Sequence, residues 1–453
     1  MIKFELTREY LEELKKVIAE ENKEKTGNMI IDLHPADIAE VYDELNIDEA
    51  KFVHLLLDNE KGADVLVELE EDVRTRFMKT LPSEVIAKQF IDQMDSDDAA
   101  DVIGELPEDK KDEVLSHIED VEQAGDIVDL LSYDEDTAGG LMAKELIAVN
   151  TNWNILTCIK EIRKQAEDVD DVYFVYVIDN DNVLKGIISL KKLLLIPTSE
   201  NVSSNYDTDV ISVKVDTSSE DVANLMDKYD LVALPVVDSI DRLVGRITID
   251  DVLDVIREEA EKDYQLVSGI TEDVEPFDKV WRLTRARLPW LLIGLFGGIL
   301  GAKVIGAYEG ELRIYPEMAF FIPLIAAMGG NVGVQSSSII VQGLANNTIG
   351  IERTSRKLLK EFSVAIINGF VCSTLMFIYN IFFSDSLALT LSVSAALLSV
   401  ILFASIFGTF IPLILDKYKI DPALATGPFI TTVNDILGLF IYLSIGRVFY
   451  GII

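Results

Sequence analysis

The hydrophobic positions of this chain follow two different patterns. Residues 284–453 contain long apolar runs, whereas residues 1–283 alternate short apolar stretches with charged positions. Five runs lie near residues 286–307, 317–345, 359–383, 387–415 and 421–448. A helix needs about 20 apolar residues to cross a bilayer core of about 30 Å. The pattern therefore predicts a five-helix transmembrane domain behind a polar N-terminal part.

The charged residues between the runs predict their orientation. Three segments that would face one side are basic: Arg282, Arg285 and Arg287; Arg353, Arg356, Lys357 and Lys360; and Lys417 and Lys419. In the two opposite loops, AYEGELRIYPE and FSDS, the only basic residue is Arg313. The positive-inside rule then places the N-terminus in the cytoplasm and the C-terminus outside. The stretch MIKFELTREYLEELKK lacks the pattern of a secretory signal, which agrees with that orientation.

Asp435 is the most informative residue of the apolar part. It lies inside the fifth run with no Lys or Arg within two helical turns, although an ionised carboxylate at membrane depth costs at least about 2.5–3.5 kcal/mol. Gly427, Thr431 and Asp435 are four residues apart and share one helix face, and Pro428 removes the donor for a carbonyl near Leu424. Such an oxygen-lined stripe suits a hard cation such as Mg²⁺. The alternative is a protonated carboxyl hydrogen-bonded between packed helices.

The second run is also unusually polar for a membrane span. It reads FFIPLIAAMGGNVGVQSSSIIVQG and contains Gly329, Gly330, Gly333 and Asn331. Small and polar residues of this kind occur at close helix contacts or along a wet path. Asn331 is therefore a candidate pore-lining residue, and a packing seam is the alternative interpretation.

The polar part contains two kinds of repeat. Between residues 137 and 264 a strand–turn–strand–helix pattern recurs at an offset of 59, with Val177, Gly186, Ser189 and Leu193 matching Val236, Gly245, Thr248 and Val252. Each copy has a further helix upstream, at 156–166 and 219–229. The pattern resembles a tandem pair of CBS motifs, which are regulatory sensors, often of adenosine nucleotides or metals. Residues 34–132 repeat a looser helical motif at intervals of roughly 30 residues or twice that, which predicts a small superhelix.

Charge separates the same two parts. The chain has 40 Lys+Arg and 78 Asp+Glu, a net charge of −38. Residues 284–453 hold 11 basic and 9 acidic residues, which leaves 29 basic and 69 acidic residues, or −40, for residues 1–283. This balance argues against nucleic-acid binding, because no basic patch is present to neutralise phosphates. An acidic surface attracts cations instead.

Little in the sequence indicates catalysis. Cys158 and Cys372 lie in different parts of the chain, which suits a reducing compartment and excludes a Cys-type zinc site. His34, His54 and His117 show no metal-ligand spacing. The sequence has no nucleophile–base pairing, phosphate-binding loop or metal-hydrolase motif, so we expect that the protein is not an enzyme.

Four stretches identify the chain as a member of the MgtE family of Mg²⁺ channels and transporters: LHPADIAE, the CBS pair, PLIAAMGGNVGVQ and DPALATGPFITTVND. The resemblance implies a multidomain α-helical membrane protein with a superhelical N-domain (1–132), an α/β CBS pair (133–264), a linker helix (265–283, beginning near 250) and the five-helix domain (284–453). It also implies a homodimer whose second and fifth spans line one pore. There Asp435 would bind hydrated Mg²⁺, with Thr431 and Gly427 on the preceding turns.

The resemblance further implies regulatory Mg²⁺ held between acidic domains. The matching candidates are Asp97, Asp98, Asp101, Asp250, Asp251, Glu258, Glu259 and Asp421. In nucleotide-binding CBS motifs a Ser/Thr-x-x-Asp tail contacts the ribose. The second copy keeps Thr248 and Asp251, but the first has Lys192 at the Asp position, so ATP is a doubtful ligand there.

The sequence thus predicts Mg²⁺ influx across the plasma membrane through a channel or transporter that closes when Mg²⁺ binds the cytosolic domains. The sequence leaves open whether other hard divalent cations are transported as well. The alternative is a CBS-regulated exporter of divalent cations coupled to Na⁺ or H⁺, in which the membrane domain would be expected to come first. A dependence of flux on a Na⁺ or proton gradient would distinguish the two.

Overall fold

A computed structural model of the chain describes residues 4–452 apart from 168, 170, 171, 273, 275–277, 346–353 and 426. It contains two compact units, Met1–Arg257 and Glu258–Ile453. The first unit is a helical array followed by two small sheets, and the second is built from long apolar helices. This architecture confirms the predicted fold class.

Short helices make up the N-terminal array. They are α1 (Arg8–Ala19), α2 (Lys23–Ile30), α3 (Pro35–Asp43), α4 (Ile47–His54), α5 (Asn59–Val67), α6 (Glu71–Met78), α7 (Ser83–Gln89), α8 (Ser96–Gly104), α9 (Glu108–Leu115) and α10 (Val121–Leu130), with a 3₁₀ turn at Ile91–Gln93. Polar caps begin many of them; Asn46, for example, forms a capping box with Glu49 at the start of α4. Their apolar sides share one core, which includes Leu14, Ile38 and Phe90.

The repeat of this array is shorter than the sequence indicated. Helices α3, α5, α7 and α9 begin at residues 35, 59, 83 and 108, in steps of 24, 24 and 25, and each contacts the next of this set. The predicted interval of roughly 30 residues is therefore wrong. The repeating unit is a pair of helices, and the motifs HPADIAE and SDDAAD begin different members of the pair, α3 and α8.

Two sheets and their helices follow. The first copy contains β1 (Ala148–Asn150), α11 (Ile155–Gln165), β2 (Val175–Ile178), β3 (Leu184–Ile188) and α12 (Leu190–Leu195). After a 3₁₀ turn at Val202–Ser204, the second contains β4 (Val213–Lys214), α13 (Ser219–Tyr229), β5 (Ala233–Val237), β6 (Leu243–Thr248) and α14 (Ile249–Val267). In each sheet the first strand pairs parallel and the third antiparallel to the central strand.

The 59-residue repeat holds at the level of single residue pairs. Val177 pairs with Gly186 in the first sheet, and Val236 pairs with Gly245 in the second. The strand register shifts directly after each of these valines. A Cβ atom on either glycine would strike the backbone of a crossing segment. The same close approach therefore requires glycine in both copies.

The two hairpin turns meet in a pseudo-twofold arrangement. Leu184 N–H donates to the Asp241 carbonyl at 3.1 Å, and Leu243 N–H donates to the Asn182 carbonyl at 3.0 Å. Asn182 and Asp241 have φ angles of 62° and 65°, a left-handed conformation that Asn and Asp adopt more readily than other side chains. The two copies therefore form one pseudo-symmetric module, as expected for a CBS pair.

The linker helix α14 is shorter than the sequence indicated. It ends at Val267, and the next helix begins at Val280. Gly269 has a φ of 83°, and Ile270 N–H donates to the Gln265 carbonyl at 2.9 Å. A left-handed glycine with such a bond is a common helix C-cap. The prediction that this helix continues to residue 283 is therefore wrong.

The apolar part forms α15 (Val280–Ala307), α16 (Glu309–Ile314), α17 (Ile322–Ala345), α18 (Thr354–Phe383), α19 (Leu387–Lys417) and α20 (Gly427–Ile452), with 3₁₀ turns at Pro316–Phe321 and Pro422–Ala425. Among the described residues, five helices are long and apolar enough to cross a membrane. These candidate spans are Val280–Ala307, Pro316–Ala345, Arg356–Phe383, Leu387–Lys417 and Gly427–Ile452. The predicted number of spans is confirmed.

Glycines set the closest contacts among α17, α19 and α20. A Cβ atom on Gly408 would strike the carbonyl oxygen of Gly333, and one on Gly333 would strike the side chain of Asn434. Small residues let membrane helices approach at backbone distance, which compensates for the missing hydrophobic drive between helices in lipid. Pro428 lies in the first turn of α20, where no helical N–H is required. It therefore begins the fifth span rather than interrupting it.

Candidate functional site

Asp435 lies on α20 where that helix faces α17. A Cβ atom placed on Gly330 would be 3.8 Å from Asp435 Oδ1 and 3.2 Å from Thr431 Cγ2. The Asp435 side chain is half-buried, and within the described part of the chain it has no hydrogen bond or ion pair. The hydrogen-bonded packing role that the sequence left open thus has no partner among these residues.

The three residues predicted to share a helix face all lie on α20. Thr431 Oγ1 donates to the Gly427 carbonyl at 3.0 Å, which leaves the hydroxyl lone pairs directed away from that bond. Gly427 has a φ of 46°, and a Cβ atom there would strike the Val267 carbonyl at the end of α14. The start of α20 and the end of the linker helix therefore touch through backbone atoms.

Asn331 is next to Gly330 in α17 but points elsewhere. Its side chain is exposed in the single chain, and the close contacts of α17 with α20 are made by Gly329, Gly330 and Gly333. The structure thus does not group Asn331 with the Asp435 side chain.

A second acidic site lies in the first unit, at the start of α8. Asp97 and Asp98 are in the first turn of that helix, and Asp251 is in the first turn of α14. Burial, and after it the nearby Asp251 carboxyl, raise the pKa of Asp98 to about 7. Burial also raises the pKa of Asp97 well above its usual range, with Asp98 and Asp251 adding to the effect. These carboxyls hold protons near neutral pH unless a cation balances them.

Asp95, Asp97 and Glu145 bring three acidic oxygens close enough together to hold one metal ion. One oxygen from each lies within 4.8 Å of the other two. Glu145 is fixed by Ser96, whose N–H and hydroxyl donate to it at 3.1 and 2.7 Å. This donor set fits a hard divalent cation that keeps part of its water. Sequence reasoning missed Glu145, which is 48 residues beyond Asp97 and carries no local motif.

Asp251 also has a structural role. The Thr248 N–H and hydroxyl donate to Asp251 Oδ2 at 3.0 and 2.8 Å, which caps the start of α14. In the first copy Ser189 caps α12 through the Lys192 N–H, at 3.2 Å. The two copies therefore share a capping hydroxyl, but only the second presents a carboxylate.

The remaining candidates differ in their surroundings. Asp101 lies at the exposed edge of α8, and Asp250 is exposed at the start of α14. Glu259 accepts a bond from Lys262 at 3.0 Å. Asp421 is exposed and caps a 3₁₀ turn, accepting from Ala423 N–H at 2.8 Å. Glu258 is exposed and has an interaction partner.

Comparisons with known proteins agree with this organisation. Family models match residues 322–445 (MgtE, divalent cation transporter), 33–136 (MgtE intracellular N domain), and 138–197 and 203–258 (CBS domain). A "Magnesium transporter MgtE" of Bacillus subtilis is 32% identical over 423 residues, which cover 93% of each chain. A protein of the same name from Thermus thermophilus is 30% identical over 440 residues, which cover 96% of this chain and 97% of the relative.

A solved structure is similar to the first part of the chain. It is the cytosolic domain of the Mg²⁺ channel MgtE in complex with ATP, with 32% identity and a TM-score of 0.51. The match covers 54% of this chain and 99% of that structure. Taken with the relatives that match over almost their whole length, these similarities show that the chain belongs to the MgtE family, whose members are transporters rather than enzymes.

Proposed function

We propose that this protein is a Mg²⁺ channel that admits Mg²⁺ across the plasma membrane. The observation that carries the proposal is the placement of Asp435, a carboxylate without a protein partner among the described residues, beside the glycine face of α17. The relatives named as magnesium transporters support Mg²⁺ as the transported ion.

The chemistry of Mg²⁺ explains why one carboxylate per chain could suffice. Mg²⁺ gives up water reluctantly and is bound through few carboxylates plus water. In a homodimer, two Asp435 carboxylates would together balance its double charge. Thr431 and Gly427 would contribute hydroxyl and carbonyl oxygens to the hydration shell one and two turns away. Monovalent ions would gain less from the same two charges.

Mg²⁺ flux into liposomes tests the role of Asp435. We expect Asp435→Asn to reduce Mg²⁺ uptake at least about tenfold, equivalent to about 1.4 kcal/mol of lost stabilisation. Asp385→Asn, in the loop between α18 and α19, is the matched control and should transport normally. Uptake by Asp435→Asn equal to that of the control would contradict the proposal. Uptake that required an imposed Na⁺ or proton gradient would favour the coupled exporter.

We also propose that cytosolic Mg²⁺ closes the pore. The crowded carboxyls Asp97, Asp98 and Asp251, with Asp95 and Glu145 close by, would hold regulatory Mg²⁺ in the first unit. Asp101, Asp250, Glu258, Glu259 and Asp421 remain candidate ligands. The backbone contact between Val267 and Gly427 supports the end of α14 as the element that acts on α20. Closure requires that Mg²⁺ bind the closed state more tightly than the open one.

ATP is proposed as a ligand of the second CBS copy only. The related cytosolic domain solved with ATP supports this, as does the Thr248 and Asp251 pair. The first copy offers Lys192 instead of an acid. We therefore expect one nucleotide per chain, measurable by equilibrium dialysis. The domain limits at residues 132, 264 and 283 also stay a proposal, although the helix of the linker ends at Val267.

A further inference from the structure

Three helices of the membrane unit each contribute one side-chain oxygen to a single cluster away from Asp435. Ser336 on α17 and Ser405 on α19 have their hydroxyl oxygens 3.1 Å apart. The Oε2 atom of Glu361, on α18, lies 3.3 Å from the Ser336 hydroxyl and 3.4 Å from the Ser405 hydroxyl. The two serines are 5% and 2% exposed, so the cluster is shielded from solvent on their side.

The spacing of these oxygens is too long for strong hydrogen bonds. A hydroxyl that donates to a carboxylate normally does so at about 2.5–2.7 Å, whereas both serine hydroxyls are more than 3.2 Å from Glu361 Oε2. The three edges are instead nearly equal, as expected for three ligands on one face of a coordination shell. Octahedral ligands about 2.1 Å from Mg²⁺ are about 3.0 Å apart, and ligands at about 2.4 Å are about 3.4 Å apart. The observed edges of 3.1, 3.3 and 3.4 Å lie between these two values, so the spacing suits a metal ion and the charge of the cluster decides which one.

The charge of the cluster selects a monovalent ion. Glu361 is its one carboxylate, and no ion pair of Glu361 is found among the described residues. A divalent ion with one carboxylate would leave an uncompensated positive charge in a site that the buried serines shield from water, which is costly. One Na⁺ would balance the carboxylate, and its radius is close to that of Ca²⁺.

We infer that Glu361, Ser336 and Ser405 form a Na⁺ site that is separate from the Asp435 site. The bound ion joins α18 to α17 and α19 through three oxygens, and water or backbone carbonyls complete its shell. The inference does not depend on Mg²⁺ conduction, because the cluster contains no residue of α20.

Binding of radioactive ²²Na⁺ to the purified full chain in detergent tests the site directly. We expect saturable binding at pH 8 that NaCl displaces and choline chloride at the same ionic strength does not. Glu361→Gln should weaken binding at least about tenfold, and Ser405→Ala should weaken it several-fold. NaCl should also raise the apparent melting temperature of the wild type over choline chloride, and Glu361→Gln should remove that shift.

Two matched variants control for indirect effects. Ser399→Ala removes a hydroxyl on α19 that donates within its own helix, to the Ala395 carbonyl at 2.8 Å, and should bind Na⁺ like the wild type. Asp435→Asn should also keep Na⁺ binding, even where it abolishes Mg²⁺ uptake. If Glu361→Gln does not fold, the loss of ²²Na⁺ binding in Ser405→Ala tests the site. The inference is overturned if the wild type shows no Na⁺-specific binding, or if binding is lost in Asp435→Asn but kept in Ser405→Ala.

Discussion

At the scale of single residues, glycine determines how closely the membrane helices approach. Gly408 on α19 meets the Gly333 carbonyl on α17, and Gly333 in turn meets Asn434 on α20. The three helices therefore meet at one point where no Cβ fits. Asn434 is 1% exposed, and neither amide atom of its side chain has a hydrogen-bond partner in the described residues. Tight packing at this crossing is kept despite that cost.

Gly408→Ala should destabilise the membrane unit by about 1–3 kcal/mol, because the new methyl group must push α19 away from the α17 backbone. Gly298→Ala on α15 is the control, since a Cβ there meets nothing within 4 Å. The apparent melting temperature in detergent measures both effects. Equal melting temperatures for the two variants would show that α17 and α19 do not approach this closely in solution.

The buried acids of the first unit predict a pH-dependent response to Mg²⁺. Because the folded-state pKa of Asp98 is raised from 3.8 to about 7, its ionisation destabilises the fold progressively between about pH 4 and 7. Below about pH 7 the folded protein holds this proton, and Mg²⁺ must displace it in order to bind. We expect millimolar Mg²⁺ to protect the cytosolic part from protease more strongly at pH 8 than at pH 6.

Asp98→Asn should flatten this pH dependence, whereas Asp109→Asn on the exposed start of α9 should preserve it. The comparison requires constant ionic strength, because surface charges respond to any salt. Protection that was the same at both pH values in the wild type would exclude Asp98 as a residue that senses Mg²⁺.

From the sequence alone, a candidate residue can be recognised when its chemistry conflicts with its surroundings. Asp435 could be found because a charge in an apolar run is visible without a structure. Glu145 and Glu361 could not be found in this way, because only their distant partners make them notable. Glu145 meets Ser96, 49 residues away, and Glu361 meets Ser336 and Ser405, 25 and 44 residues away. Contacts between elements are not encoded in any local pattern.

At the scale of elements, the periodicity of hydrophobic residues predicted whether a segment is a helix or a strand better than it predicted where that segment ends. The CBS repeat was correct to the single residue because Val177 and Val236 occupy the same register. The end of α14 was placed too late, although Gly269 was visible in the sequence. Acidic helical residues before it continued the pattern, and a glycine in a sequence does not by itself reveal a left-handed conformation.

Gly269→Ala should loosen the contact between the linker end and α20. The substitution adds left-handed strain of about 1 kcal/mol, and its Cβ would lie 2.6 Å from Pro428 Cγ. If this contact closes the pore, the variant should keep transporting when the cytosolic face has millimolar Mg²⁺. Gly306→Ala, with nothing within 4 Å of its Cβ, should stay inhibited like the wild type. If millimolar Mg²⁺ inhibited transport by Gly269→Ala as it does that of the wild type, this contact would not be the one that closes the pore.

At the scale of the whole molecule, charge and hydropathy divide the chain into an acidic part and an apolar part. The division into Met1–Arg257 and Glu258–Ile453 follows compactness rather than charge, so the acidic end of α14 belongs to the unit that holds the spans. The number of spans could be predicted because length and composition determine it. Their orientation depends on insertion and stays a prediction.

Fusions at the C-terminus test that orientation. We expect alkaline phosphatase joined after the fifth span to be active and a green fluorescent protein at the same position to be dark, because three basic segments hold the opposite ends in the cytoplasm. Fusions after Lys417 should show the reverse. A fluorescent C-terminal fusion would invert the predicted topology and the direction of any gating from the N-terminal part.

Helix α14 crosses the boundary between the two units without interruption, from Ile249 to Val267. Nineteen residues make a helix about 28 Å long. A tilt of about 5° of a helix this long displaces one end relative to the other by about 2.4 Å. Under the gating proposed above, we expect a small tilt at the Asp251 end to become, at the Val267 end, a displacement nearly as long as a hydrogen bond.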